Sequence, residues 1–225
     1  MKLSEDTVNV LKNFSSINQS LQVKPGNVLK TISPLKTVFV EATVSETFPK
    51  EVAVYDLNKL LAKVSLYKEA ELDFADDKLH ITTESKKKKD SISYCSPKVI
   101  VAPPEKPITI GEADCSFSVS KEDLDWMRKS AGISGSPNFV FESDGDTITF
   151  TATDVKDDAA DQSTIEIGAG NGTKFKVVMK VENFKLMEGS YDVSVAKKGL
   201  AQFKNKDVAI TYFIAIEAAA STFGE

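Results

Sequence analysis

CSPKVIVAPPEKPITIG, residues 95–111, carries four of the eight prolines in the chain: Pro97, Pro103, Pro104 and Pro107. Proline fixes φ and lacks a backbone N–H, so it cannot join a central sheet ladder. The stretch is predicted to run extended and to keep out of any sheet, as a connector near the middle of 225 residues. What flanks it decides the fold.

The two flanks look alike. KLSEDTVNVLK opens the chain, and SVSKEDLDWMRK follows the connector. Each reads as a strand end, a serine N-cap (Ser4, Ser120), acids where the helix dipole favours them, and a short helix. Further on, AVYDLNKLLAKV matches VMKVENFKLMEG, a strand leading into a helix. Four short helices are expected: Ser4 to about Phe14, Leu57 to Tyr67, one starting at the Ser120/Asp123 capping box, and VENFKLMEG closing at Gly189. Apolar residues at helical spacing mark the buried faces: Val10, Leu11 and Phe14; Leu57, Leu60, Leu61 and Val64; Leu124, Met127 and Ala131.

The rest reads as strands. FESDGDTITFTAT (141–153) is a tight hairpin around Asp144-Gly145, with Ile148, Phe150 and Ala152 on one face. Pro25-Gly26 suits a type II turn. LDFADDKLHIT (72–82) and AQFKNKDVAITYF (201–213) each read strand, polar turn, strand, and KFKVVMKV and EVAVYD are further strands. A unit of helix plus strands thus recurs about four times, two per half. The fold class is α+β: two similar domains, each with two short helices on antiparallel sheets, predicted as 1–98 and 111–225 with a connector at 99–110. Two unrelated small β domains joined by a spacer are the alternative.

Composition is that of a soluble globular protein, 41% apolar and 27% charged. No apolar run approaches the ~18 residues that span a bilayer, and the acidic start MKLSEDTVNV lacks the apolar region of a signal peptide. Cys95 and Cys115 are too few for a disulfide framework, which fits a reducing compartment, although a single bridge between them is conceivable. Residues 1–112 hold 16 Lys and 15 acids, whereas 113–225 hold 12 Lys/Arg and 18 acids. Such a chain is no generic basic nucleic-acid binder; any DNA-directed charge must occupy a local face.

MKLSEDTVNVLKNFSSIN, VAVYDLNKLLAKVSL, VAPPEKPI, EDLDWMRKSAGI, Val155-Lys156-Asp157 and the ending VAITYFIAIEA resemble, in order and over nearly the full chain, the sliding clamps of T-even-type bacteriophages. The resemblance implies a non-enzymatic processivity factor without cofactor or metal. In that family, two-domain subunits form a closed homotrimeric ring around duplex DNA, with helices lining the hole. The implied partners are DNA of any sequence, the replicative DNA polymerase, an ATP-driven clamp loader and other copies of the chain, in the cytoplasm of the infected host and with no membrane. The DNA-facing candidates are Lys12, Lys59, Lys63, Lys121, Arg128, Lys129 and Lys185, each off the apolar stripe of its helix; they read equally as solvated charges opposite a buried face. Val99, Ile100, Val101 and Ala102 are the candidates for a groove that receives apolar partner peptides, and read otherwise as packed linker. A monomer of the same fold holding DNA by charge alone is the first rival reading, disfavoured by the acidic balance. A hydrolase or transferase and a structural virion protein are others.

Other signals carry less. The run Lys86–Lys89 reads as a solvated loop. GAGNG (168–172) leads into a strand and not the helix that a dinucleotide fingerprint requires. Asp154, Asp157, Asp158 and Asp161 lack calcium-loop spacing and read as a surface loop. His80 and the cysteines show no catalytic or metal pattern, and Trp126 reads as packing.

Overall fold

The computed structural model describes residues 1–85 and 87–224. The chain divides into two compact units, 1–105 and 106–225.

Unit 1 runs α1 (Glu5–Ile17), β1 (Leu21–Val23), β2 (Gly26–Ile32), β3 (Val38–Phe48), β4 (Val52–Val54), α2 (Leu57–Ser65), β5 (Glu71–Phe74), β6 (Lys78–Thr82) and β7 (Lys89–Ser93). Strand β1 pairs with β4, β2 with β3, and β5-β6-β7 form an antiparallel sheet. The Pro25-Gly26 turn, with Gly26 at φ +117°, redirects the chain from one strand pair to the other.

Unit 2 runs β8 (Cys115–Val119), α3 (Lys121–Ser134), β9 (Asn138–Asp144), β10 (Thr147–Thr153), β11 (Ser163–Ala169), β12 (Lys174–Lys180), β13 (Tyr191–Ala196), β14 (Leu200–Asn205), β15 (Ile210–Ala215) and β16 (Thr222–Phe223). One sheet has the order β11-β10-β9-β12-β16. Strands β8, β13, β14 and β15 pair successively in another.

The duplication is visible in the pairings. The strands after the first helix of each unit pair alike: β1 with β4, and β9 with β12. The hairpin between them recurs as β2-β3 and as β10-β11, and the closing meander as β5-β6-β7 and β13-β14-β15. In unit 2, β8 leads into the helix and pairs with β13. In unit 1 that pairing shrinks to Met1, which exchanges two backbone hydrogen bonds of 2.7 Å with Leu72.

Local chemistry explains the helices. Ser4, Asp56 and Ser120 accept hydrogen bonds from the backbone N–H of Thr7, Lys59 and Asp123 at 3.2, 2.9 and 3.1 Å, caps worth ~1 kcal/mol each. Gly135, left-handed at φ +65°, closes α3. The faces expected to be buried are buried, with Phe14, Leu57 and Met127 fully enclosed. Val64 alone of those residues is only half-buried.

The fourth expected helix is a single 3-10 turn, Val181–Asn183. Phe184 and Leu186 are both buried while Lys185 between them is exposed. That alternation of period two belongs to extended chain. Phe184 joins an aromatic core, 4.8 Å from Phe139 and 5.3 Å from Phe203 between ring centroids, which draws the segment out of helical shape. Among the described residues, unit 2 therefore has one α-helix to the two of unit 1.

The 141–153 hairpin forms as expected, with Ile148, Phe150 and Ala152 inward. Its tip is tightly packed: the backbone N–H of Gly170 donates to Asp146 at 2.6 Å, and a Cβ at Gly170 would lie 2.3 Å from the carbonyl oxygen of Gly145. GAGNG thus spans the end of β11 and the turn into β12. Of the basic run, Lys86 lies outside the described residues, Lys87 and Lys88 are exposed, and Lys89 opens β7. Both cysteines are free thiols. The connector holds a 3-10 turn at Pro97–Val99 and otherwise no regular structure.

Candidate nucleic-acid interface and partner cleft

The seven basic candidates separate into two groups. Lys12 on α1, Lys59 on α2 and Lys129 on α3 are exposed, stand opposite the buried stripe of their helices, and form no ion pair among the described residues. These three can offer a full charge to a phosphate.

The other four are engaged or lie off a helix. On α2, Lys63 Nζ lies 2.5 Å from Asp90 Oδ1 in β7, and the Tyr67 hydroxyl donates to Asp90 Oδ2 at 2.7 Å. The hydrogen bond from Lys63, then that from Tyr67, holds the Asp90 carboxyl below its ordinary range, and the same contact raises the Tyr67 phenol. Lys121 pairs with Glu188 at 2.7 Å, which raises its ammonium and lowers the Glu188 carboxyl. Arg128 flanks the buried stripe of α3, half-buried, and donates from Nη2 to the Leu186 carbonyl at 3.1 Å; it fastens the extended 184–187 segment to the helix. Lys185 is exposed on that segment. The exposed Lys121–Glu188 pair contributes little to stability, whereas Lys63–Asp90 is half-buried; both lower the charge that their site can present.

Val99, Ile100, Val101 and Ala102 lie in unit 1. Val99 is 61% exposed, and Ile100 is half-buried. One contact anchors this stretch: buried Asn18, the C-cap of α1, donates from Nδ2 to the carbonyls of Ile32 and Val101 at 2.9 and 3.0 Å. Its Oδ1 accepts from the backbone and hydroxyl of Ser20.

A cleft of 870 Å³ opens in unit 2, with apolar walls from Ala131, Pro137, Phe139, Val155, Val181 and Phe184. Arg128, Lys180 and Glu217 also line it. Its residues come from segments scattered over about ninety positions of sequence; Arg128, Ala131, Val155, Lys156 and Glu217 stand in blocks read from the sequence, but none was read there as lining a cleft.

Trp126 is not packed. It is 47% exposed, and Ile133, two turns along α3, is 89% exposed. Ser130 between them donates to the Ser163 hydroxyl of β11 at 2.6 Å, so this side of α3 runs beside that strand.

Comparison with known proteins gives three consistent findings. The family profile "DNA polymerase processivity factor" matches residues 4–102, and "gp45 sliding clamp, C terminal" matches 116–218. The "Sliding clamp" of Vibrio phage KVP40 is 32% identical over 97% of this chain and 100% of its own length. That of Enterobacteria phage T4 is 28% identical over 97% of each. In fold, proliferating cell nuclear antigen of Entamoeba histolytica superposes with a TM-score of 0.70 at 13% identity, covering 96% of this chain and 97% of that one. The homologue of A. fulgidus, solved with the C-terminal region of FEN-1 bound, gives 0.71 at 13%, covering 96% and 98%.

Proposed function

The chain belongs to the sliding clamps of T4-type phages, DNA polymerase processivity factors, and from that premise we propose that three copies close head to tail into a ring around duplex DNA and tether the replicative polymerase to it. The protein is non-catalytic, and topology replaces affinity: a closed ring needs only weak, sequence-independent phosphate contacts to stay on its template while sliding. Lys12, Lys59 and Lys129 supply the principal inner-wall charges; Lys63, Lys121, Arg128 and Lys185 border them. The polymerase and the clamp loader dock through short peptides, the unit 2 cleft taking their apolar anchor and Val99–Ala102 offering further apolar surface. The setting is the cytoplasm of the infected bacterium.

One observation carries ring closure. Strand β7 in unit 1 and β11 in unit 2 each end a sheet, and an unpaired edge is a template for another chain. Lys87, Lys88 and Lys89 lead into and open β7, while Asp161 precedes β11 and Glu166 is exposed on it. Leu66, 72% exposed, borders a recess with Tyr67, Lys88, Lys89 and Asp90 beside β7; Trp126 and Ile133 flank β11. Opposite charge and apolar flanks suit heterologous pairing that closes on itself.

Light scattering should give about three times the 24.5 kDa subunit mass at high protein concentration. With loader and polymerase, a ring stays on circular templates and runs off open linear ends. Equal retention on both, or a strict monomer, refutes enclosure.

A further inference from the structure

Beside the apolar cleft of unit 2 lies a polar notch of 270 Å³, which the reading of the cleft as a peptide dock leaves unexplained. It is lined by Glu142, Asp154, Asp157 and Asp158, with Lys176 as its one cation and Thr153 in its wall. Asp154 and Val155 line both hollows, so the two share a wall.

Thr153 supplies the second observation. It is only 7% exposed, and its hydroxyl oxygen is fully buried without a hydrogen-bond partner among the described residues. Buried hydroxyls are nearly always paired, because an unpaired one forfeits its hydrogen bonds to water. One at the wall of an acidic notch is a vacant acceptor beside an excess of negative charge.

We infer that this notch receives a basic side chain, lysine or arginine, placed next to the apolar anchor of the protein partner that docks in the cleft; the inference rests on the cleft being that dock. An ammonium or guanidinium carries only donors. It can satisfy the Thr153 oxygen and the carboxylates together, as charge-assisted hydrogen bonds. A metal ion fits less well, since no three acids among the described residues converge closely enough to hold one. The partner signature is therefore an apolar peptide flanked by a positive charge, with the cleft supplying affinity and the notch orientation.

The test titrates the full-length clamp with its cognate polymerase, across salt from about 50 to 300 mM, where screening grows steadily. In D157N/D158N both residues are exposed, and asparagine keeps the acceptor with which Asp157 binds the Ala159 N–H, so the fold should persist, as circular dichroism can verify. We expect binding weaker by about three- to tenfold at the lowest salt, converging on wild type at the highest, because rim charges act through screened attraction. T153V should weaken binding at every salt concentration. V155D, which places a charge in the apolar cleft, should abolish binding and thereby report on the dock itself. If V155D binds as wild type, or wild type does not bind, the dock is misplaced and the notch inference falls with it. If V155D fails but D157N/D158N keeps wild-type affinity and salt slope, the notch inference alone is overturned. An effect of D157N/D158N that appears only with added Mg²⁺ also overturns it, in favour of a cation site.

Discussion

Lys63 on α2 and Asp90 on β7, 27 residues apart in sequence, meet at 2.5 Å. One member lies on a helix proposed to face DNA, the other on a strand proposed to close the ring.

That contact separates two lysines one helical turn apart. K59E should leave the melting temperature unchanged and lower processive synthesis several-fold, since Lys59 is exposed and forms no ion pair among the described residues. K63E places two carboxylates together, so it should lower the melting temperature and weaken trimerisation as β7 loses its tie to α2. Thermal melts, light scattering and primer extension on the two variants decide it. Identical behaviour of both would remove the distinction.

The acid limb of stability should depend on Glu46. Its half-buried carboxylate accepts from the Ser4 backbone N–H and the Thr7 hydroxyl at the start of α1. Desolvation opposes ionisation, but these hydrogen bonds outweigh it and hold the carboxyl down to about 2. A depressed carboxylate stabilises the fold above its unfolded value of about 4.5, and that stability fades as pH falls from there towards 2. E46Q should cost about 1–2 kcal/mol at pH 7 and flatten the loss below pH 4.5. Denaturant melts at pH 7, 4 and 3 measure both; an unchanged slope would remove Glu46 from the account.

Trp126, the only tryptophan, should report assembly. If its side of α3 meets the neighbouring copy, emission shifts to the blue and acrylamide quenching falls as concentration rises. W126A should raise the dissociation constant about tenfold or more, as buried interface tryptophans do. Fluorescence independent of concentration across the trimerisation range would place Trp126 outside the contact.

Asn18 joins the end of α1, the β2 carbonyl of Ile32 and the connector carbonyl of Val101. N18A should cost about 2–3 kcal/mol, because it strands several buried polar groups at once. Urea titration measures this directly. A loss under half a kcal/mol would mean that water replaces the amide at no cost.

Contacts made within a few residues were legible in the sequence. Ser4 and Ser120 cap helices by local bonds, and Asp144-Gly145 turns a hairpin by its own dihedrals; the Asp56 cap of α2, equally local, went unread. The VENFKLMEG segment misled because its helical spacing competed with the alternating burial of Phe184 and Leu186, which only the distant aromatics Phe139 and Phe203 impose. The charged face was half legible for the same reason. Periodicity put Lys63 and Lys121 off the apolar stripe, but Asp90 and Glu188 reach them from 27 and 67 residues away. The acids Asp154, Asp157 and Asp158 of the notch stood out in the sequence but read only as a surface loop, because Glu142, Thr153 and Lys176, which complete its walls, and the cleft beside it come from strands far apart in sequence.

Gly170 leaves no room for even a methyl group beside Gly145, and this has an evolutionary reading. Lysines on the helix faces can migrate by a turn and still present their charge, so they should drift under mutagenic pressure. The glycine has no substitute, because what it supplies is vacancy. A saturation-mutagenesis library passed through phage growth should therefore retain glycine at 170 more stubbornly than any single lysine, though no substrate ever touches it.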